Sequence, residues 1–157
     1  PAVAAALLEA KADPNIGDDH GDTPVHCAML YGSPRALAEL LARGGDAMRA
    51  NLSGELPLHF AAEFGPGTEA GDEQPSPFLA RRHFARSVKA QEVLTEELQK
   101  TGQLEAALAH EAAGDLANTP LHAVARHDHL GAVRAVQLLA RLRADLERKN
   151  GEGRTAL

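Results

Sequence analysis

The chain is poor in aromatic and sulfur chemistry. Its 157 residues include one cysteine, no tryptophan, one tyrosine and four phenylalanines. A lone cysteine, Cys27, cannot close an intrachain disulfide, which excludes a disulfide-stapled secreted scaffold. With 44% hydrophobic content but few aromatics, a core must be built mainly from Ala and Leu, which favour helix and let helices approach closely. The sequence holds neither an apolar run of about 18 residues nor a signal-peptide pattern, so nothing in it points to a membrane. Excess positive charge is lacking too. The 16 Lys and Arg are outnumbered by 22 Asp and Glu, for a net charge of −6, whereas nucleic-acid-binding chains usually carry a basic face. Gly-rich phosphate loops, Gly-x-Ser-x-Gly and His-Glu-x-x-His are all missing. The expectation is an intracellular, cytoplasmic chain that is not an enzyme. It would take no cofactor, metal or small-molecule substrate, and make no contact with nucleic acid or membrane.

What is present is a phrase written repeatedly. Thr23-Pro24-Val25-His26, Leu56-Pro57-Leu58-His59 and Thr119-Pro120-Leu121-His122 are near-copies, and a stub, Arg154-Thr155-Ala156-Leu157, ends the sequence. Pro24 and Pro57 are 33 residues apart, and Ala156 stands in the proline slot 36 residues after Pro120. Residues 1–13 also lie over 34–46 at an offset of 33, with Pro1/Pro34, Ala5/Ala38, Leu7/Leu40, Leu8/Leu41 and Asp13/Asp46 identical. Self-similarity at such a period marks a solenoid.

Each unit has a physical reading. Thr23 and Thr119 suit a helix N-cap, and the following proline suits the first helical position, where its missing N–H costs nothing. A short first helix then ends at Gly32, a second starts at Pro34, and Gly44-Gly45 ends it. A polar turn leads to the next Thr-Pro. Leu56 replaces the capping threonine, which predicts a weaker helix start there. The 36-residue unit is longer by nearly one helical turn, placed in 130–142. Such helix pairs cannot bury their apolar faces alone, but they can when stacked.

These residues, "TPVH" (23–26), "LPLH" (56–59), "TPLH" (119–122) and the turns "ADPN" (12–15) and "ADLE" (144–147), resemble the ankyrin repeat over about 1–65 and 115–157. The resemblance implies an all-α helix-turn-helix solenoid, open at both ends, that serves as a protein-binding scaffold without chemistry of its own. Its divisions would be a partial repeat at 1–21, a repeat at 22–54, an interrupted one at 55–118, a repeat at 119–153 and the start of another at 154–157. The alternative is that the stack recruits substrate, or docks a domain, within a larger enzyme or membrane protein.

Pro57 and Pro120 are 63 residues apart, so about 30 residues interrupt the array. Residues 65–77 have the composition of a loop, 78–100 have helical spacing, and "QLEAALAHEA" (103–112) resembles the second helix of a unit. Either one repeat carries an insertion at about 66–100, or a degenerate repeat lies near 93–113 with Val93 and Leu94 in the Thr-Pro slots. The first is favoured because nothing between 66 and 117 carries the repeated phrase.

His26, His59 and His122 share one slot. Equivalent positions in neighbouring helices lie about 10 Å apart, too far for common zinc ligation at about 2 Å. Each ring is expected to bond its own turn instead. His127 and His129 offer a poorly framed metal site, Cys27 a buried, inert thiol, and the basic run 81–86 a solvated helix face. Partner-binding positions are expected at the ends of the first helices, Leu30-Tyr31, Glu63-Phe64 and Arg126-His127, where aromatics share a slot. Turn-tip residues Asp19, His20, Arg49, Asn51, Lys149 and Asn150 would complete that surface.

Overall fold

The computed structural model describes residues 2–61, 77–113, 116–127 and 130–156. Among them there is no strand. The elements are α1 (Ala2–Glu9), α2 (Pro24–Leu30), α3 (Pro34–Ala42), a 3-10 helix (Pro57–Phe60), α4 (Pro77–Lys100), α5 (Leu104–Ala109), α6 (Pro120–Ala125) and α7 (Leu130–Arg141). They form two rows. First helices α2, the 3-10 helix and α6 touch in sequence, as do second helices α1, α3, α4 and α7, and the rows meet through α2–α3 and α6–α7. This is the expected all-α ankyrin-type solenoid. Its core runs between the rows: Val25, Met29, Leu37, Leu58, Leu94, Leu98, Leu121, Val124 and Leu139 are almost wholly buried. Each such side chain contributes about 1.5–3 kcal/mol by leaving water.

The repeated phrase sets where first helices begin. Thr23, Leu56 and Thr119 are extended (φ −75, −81 and −79°), and the proline after each opens the helix. The unit starting at Leu56 has a four-residue 3-10 helix where its neighbours have seven- and six-residue α-helices, in keeping with its missing hydroxyl. Second helices share one ending. The Gly45 amide donates to the Leu40 carbonyl and that of Gly44 to Leu41; Gln103 and Gly102 repeat the pair on Leu98 and Gln99, Ala144 and Arg143 on Leu139 and Ala140, and Ala12 and Lys11 on Leu7 and Leu8. This 6→1, 5→2 pattern needs a left-handed residue after the helix. Gly44 (φ 86°) and Gly102 (φ 70°) supply it without strain, whereas Lys11 (φ 63°) and Arg143 (φ 66°) are forced into it.

These hydrogen bonds also fix the register of the interruption. Leu98 occupies the position of Leu40 and Leu139, and α4 packs between α3 and α7. On this packing we assign the second helix of the interrupted unit to the C-terminal half of α4. The stretch 103–112, expected to be that helix, instead holds α5, which packs on α4 and α6 within the connection to Thr119. Val93 and Leu94, the alternative Thr-Pro slots, lie in mid-helix and not at a helix start. The reason is the stripe Ala90, Leu94 and Leu98, buried at four-residue spacing, which outweighs the resemblance carried by 103–112. Buried Gln91 donates from Nε2 to the Ala61 carbonyl and so ties α4 to the end of the 3-10 helix. At 24 residues α4 is far longer than the nine-residue α3. Helix α7, at 12 residues, carries the additional turn expected from the 36-residue spacing.

The shared helix ending gives a paired test. Gly102 has open space around a would-be Cβ, so Gly102→Ala costs only the left-handed backbone penalty, about 1 kcal/mol. Arg143→Gly relieves the same penalty and stabilises by roughly 0.5 kcal/mol after the unfolded-state entropy is offset. Urea unfolding of both variants checks the signs.

Candidate functional site

The turns between units are copies of one another in hydrogen bonding. The Asp18 amide donates to the Asp22 carbonyl, Asn51 to Glu55 and Asn150 to Arg154. Asp18 Oδ1 accepts from the amides of His20 and Asp22, Asn51 Oδ1 from Ser53 and Glu55, and Asn150 Oδ1 from Glu152 and Arg154. Those two bonds hold the Asp18 carboxyl below the usual carboxylate range. Neighbouring turns are joined by backbone. The Leu52 amide donates to the His20 carbonyl at 3.0 Å, Ala113 to Ser53 at 2.8 Å and Gly151 to Leu116 at 2.7 Å. Asn51 Nδ2 adds a bond to Asp22, and Asn150 Nδ2 one to Asn118. The turn surface is therefore a set of tips locked in sequence along the stack.

The histidines anchor those turns from beneath. His26 Nδ1 accepts from the Thr23 amide at 3.1 Å, and His26 Nε2 faces the Glu55 carbonyl at 3.1 Å. His59 repeats this with the Leu56 amide at 3.0 Å and the Asn118 carbonyl at 3.1 Å, and His122 with Thr119 at 3.4 Å and Arg154 at 3.0 Å. An amide can only donate and a carbonyl only accept, so each ring is neutral with its proton on Nε2. The Thr23 and Thr119 hydroxyls, 2.9 and 2.7 Å from Nδ1, then donate to that bare nitrogen. The expectation that each imidazole bonds its own turn holds. It also reaches the next unit, which the sequence reading did not foresee.

A family model described as ankyrin repeats (3 copies) matches residues 1–69, and a second, for the ankyrin repeat, matches residues 118–151. The chain belongs to the ankyrin repeat family. It is similar to the ankyrin repeat-containing protein P1E11.10 of Schizosaccharomyces pombe, being 41% identical over 51 residues, 32% of this chain and 25% of the relative. The chain thus matches over a quarter of that relative's length. Ankyrin repeats generally mediate protein–protein interaction and form a non-catalytic module. The two family matches flank the segment that carries α4 and α5.

Within this ankyrin stack the expected partner-binding residues divide by environment. Tyr31, at the end of α2, is 60% exposed, whereas Leu30 is half-buried against the core. Arg126 is exposed and its Nε donates to Nε2 of half-buried His127 at 3.4 Å. Glu63 and Phe64 lie outside the described residues, as do Asp128 and His129. Asp19, His20, Arg49 and Lys149 are exposed. Asn51 and Asn150, expected to project from the tips, instead fold their side-chain oxygens back into the turns, as Asp18 does in the first turn. An Asp or Asn at the first turn position satisfies its own backbone more cheaply than it serves a partner.

Sequence reasoning missed three apolar residues on the connections: Ile16, Leu52 and Leu116 are 68, 78 and 47% exposed. The signal was an isolated large apolar side chain in an otherwise polar turn. Cys27, expected to be buried, is only half-buried, and burial with nearby Asp22 and Asp18 raises its thiol pKa, opposite to what a nucleophile needs. Among the described residues no three His, Cys, Asp or Glu side chains group as metal ligands, and no helix is long and apolar enough to cross a membrane. Arg86 of the basic run is exposed; the side chains of 81–84 lie outside the described residues.

The buried imidazoles make stability depend on acid. Burial lowers the pKa of His26, and burial with the adjacent His110 ring lowers that of His59 to about 4. The neutral form is favoured on folding, so this stabilisation is full above about pH 6.5 and is lost as pH falls toward 4. His59 alone accounts for about 3 kcal/mol across that window. Urea unfolding at pH 7 and pH 4.5 measures it; equal stability at the two would contradict the assignment.

Proposed function

We propose that the chain binds a partner protein across the face formed by its first helices and turns. Tyr31 and Leu52 serve as apolar anchors, with Asp19, His20, Arg49 and Lys149 as a polar rim. One observation carries this reading: large apolar side chains stand exposed on connections that are otherwise polar and hydrogen-bonded along the stack. A side chain such as Leu52, 78% exposed, is suited to a partner's apolar pocket. Because each turn is already held by its own Asp or Asn and by its neighbour, docking orders little backbone, which conserves affinity. Arg126 and His127 extend the same face toward the C-terminal unit, and Leu30 supports Tyr31 from the core side. Asn51 and Asn150 act on this surface by holding the tips in shape.

Affinity capture with the wild-type chain and a Tyr31→Ala/Leu52→Asp variant tests the reading. Both positions are exposed, so helicity should be unchanged. Binding of the captured partner should weaken by about tenfold or more, as for interface anchors. A partner retained equally by both proteins would contradict it.

A further inference from the structure

The basic run at 81–86 has no place in the surface just described, yet part of it lines a cleft. Ser33, Pro34, Arg35 and Ala36 of α3 and its approach face Ala85, Arg86 and Lys89 of α4 across a cavity of about 450 Å³. It lies beside the start of α3, not among the turn tips. Arg35, Arg86 and Lys89 are exposed. Of the acids on these two helices, Glu39 takes Arg43 at 3.0 Å, away from the cleft, and Glu92 takes the cleft's own Lys89 at 2.9 Å. Among the described residues no carboxylate pairs with Arg35 or Arg86. In a chain of net charge −6, two unpaired guanidiniums sharing one cleft are a local reversal of field.

The geometry points to this cleft as a docking site for an acidic segment of a partner protein, one carrying Asp or Glu side chains. The reading deepens the protein-binding function proposed above and rests on it. Guanidinium forks match carboxylates bidentately. The cations are also spread rather than focused: Arg35 comes from α3, while Arg86 and Lys89 stand about one turn apart on α4. Separate carboxylates along a peptide meet that spread better than one compact phosphate does. The volume falls in the range that holds several groups rather than a single ion. Arg35 and Arg86 make the direct contacts, and Lys89, shared with Glu92, adds charge.

Fluorescence anisotropy with a labelled Asp/Glu hexapeptide tests this on the 157-residue chain. A neutral hexapeptide, a singly phosphorylated one and an RNA oligonucleotide are run in parallel. The wild type should bind the acidic peptide, more weakly at high salt. Arg35→Glu/Arg86→Glu should lose about tenfold or more in affinity with unchanged helicity. Arg141→Glu, a control on α7, should leave binding intact. Tyr31→Ala/Leu52→Asp should also leave it intact, so that failure of the turn surface and failure of the cleft are distinguishable. No binding of the acidic peptide, an equal loss in Arg141→Glu, or preference for the phosphopeptide or RNA would each overturn the assignment.

Discussion

A neutral imidazole that must satisfy two units at once is the constraint on which this array depends. Nδ1 of each histidine in the His26, His59 and His122 series accepts from the backbone that opens its own first helix, and Nε2 donates to the last turn residue before the next one. Removing one ring strands an amide and a carbonyl at the junction, and a buried unsatisfied group costs about 1–3 kcal/mol. The bond also sets spacing. A first helix can start only where its neighbour's histidine reaches, so pitch is written into a side chain rather than left to apolar contact alone. The ring's charge state thereby becomes part of the fold.

The same logic explains how the stack tolerates an interruption. His59 spans 59 residues of sequence to reach the Asn118 carbonyl, where His26 spans 29 to reach Glu55, at the same 3.1 Å. The extra residues are accommodated between fixed points: Ala61, held by Gln91, and the shared helix ending at Leu98 and Gly102. The buried stripe Ala90, Leu94 and Leu98 lies toward the C-terminus of α4, and the cleft with Arg35 and Arg86 lies on the N-terminal side of that stripe.

Much of this was legible in the residues because the signals were local and repeated. The Thr-Pro pairs gave the first-helix starts, Gly44 and Gly45 gave the end of α3, and the longer spacing after Pro120 gave the additional turn of α7. The position of the second helix in the interrupted unit was not legible. Gln103–Ala112 resembles such a helix, and the decisive facts, burial of Leu94 and Leu98 between α3 and α7, are tertiary. The inter-unit reach of the histidines was hidden for the same reason, since the acceptor lies 29–59 residues away. On the surface, the polarity of Asn51 and Asn150 suggested exposure to a partner, whereas their side chains complete their own turns. Leu52 escaped notice because one apolar residue in a polar turn has no period to reveal it.

The account stands or falls on the protonation of three rings, which nitrogen-15 NMR reads directly through long-range correlations to the imidazole carbon-bound protons. At neutral pH His26, His59 and His122 should each show the neutral tautomer with the proton on Nε2 and slow exchange of that proton. Imidazolium rings, or neutral rings protonated on Nδ1, would contradict the bridging of neighbouring units.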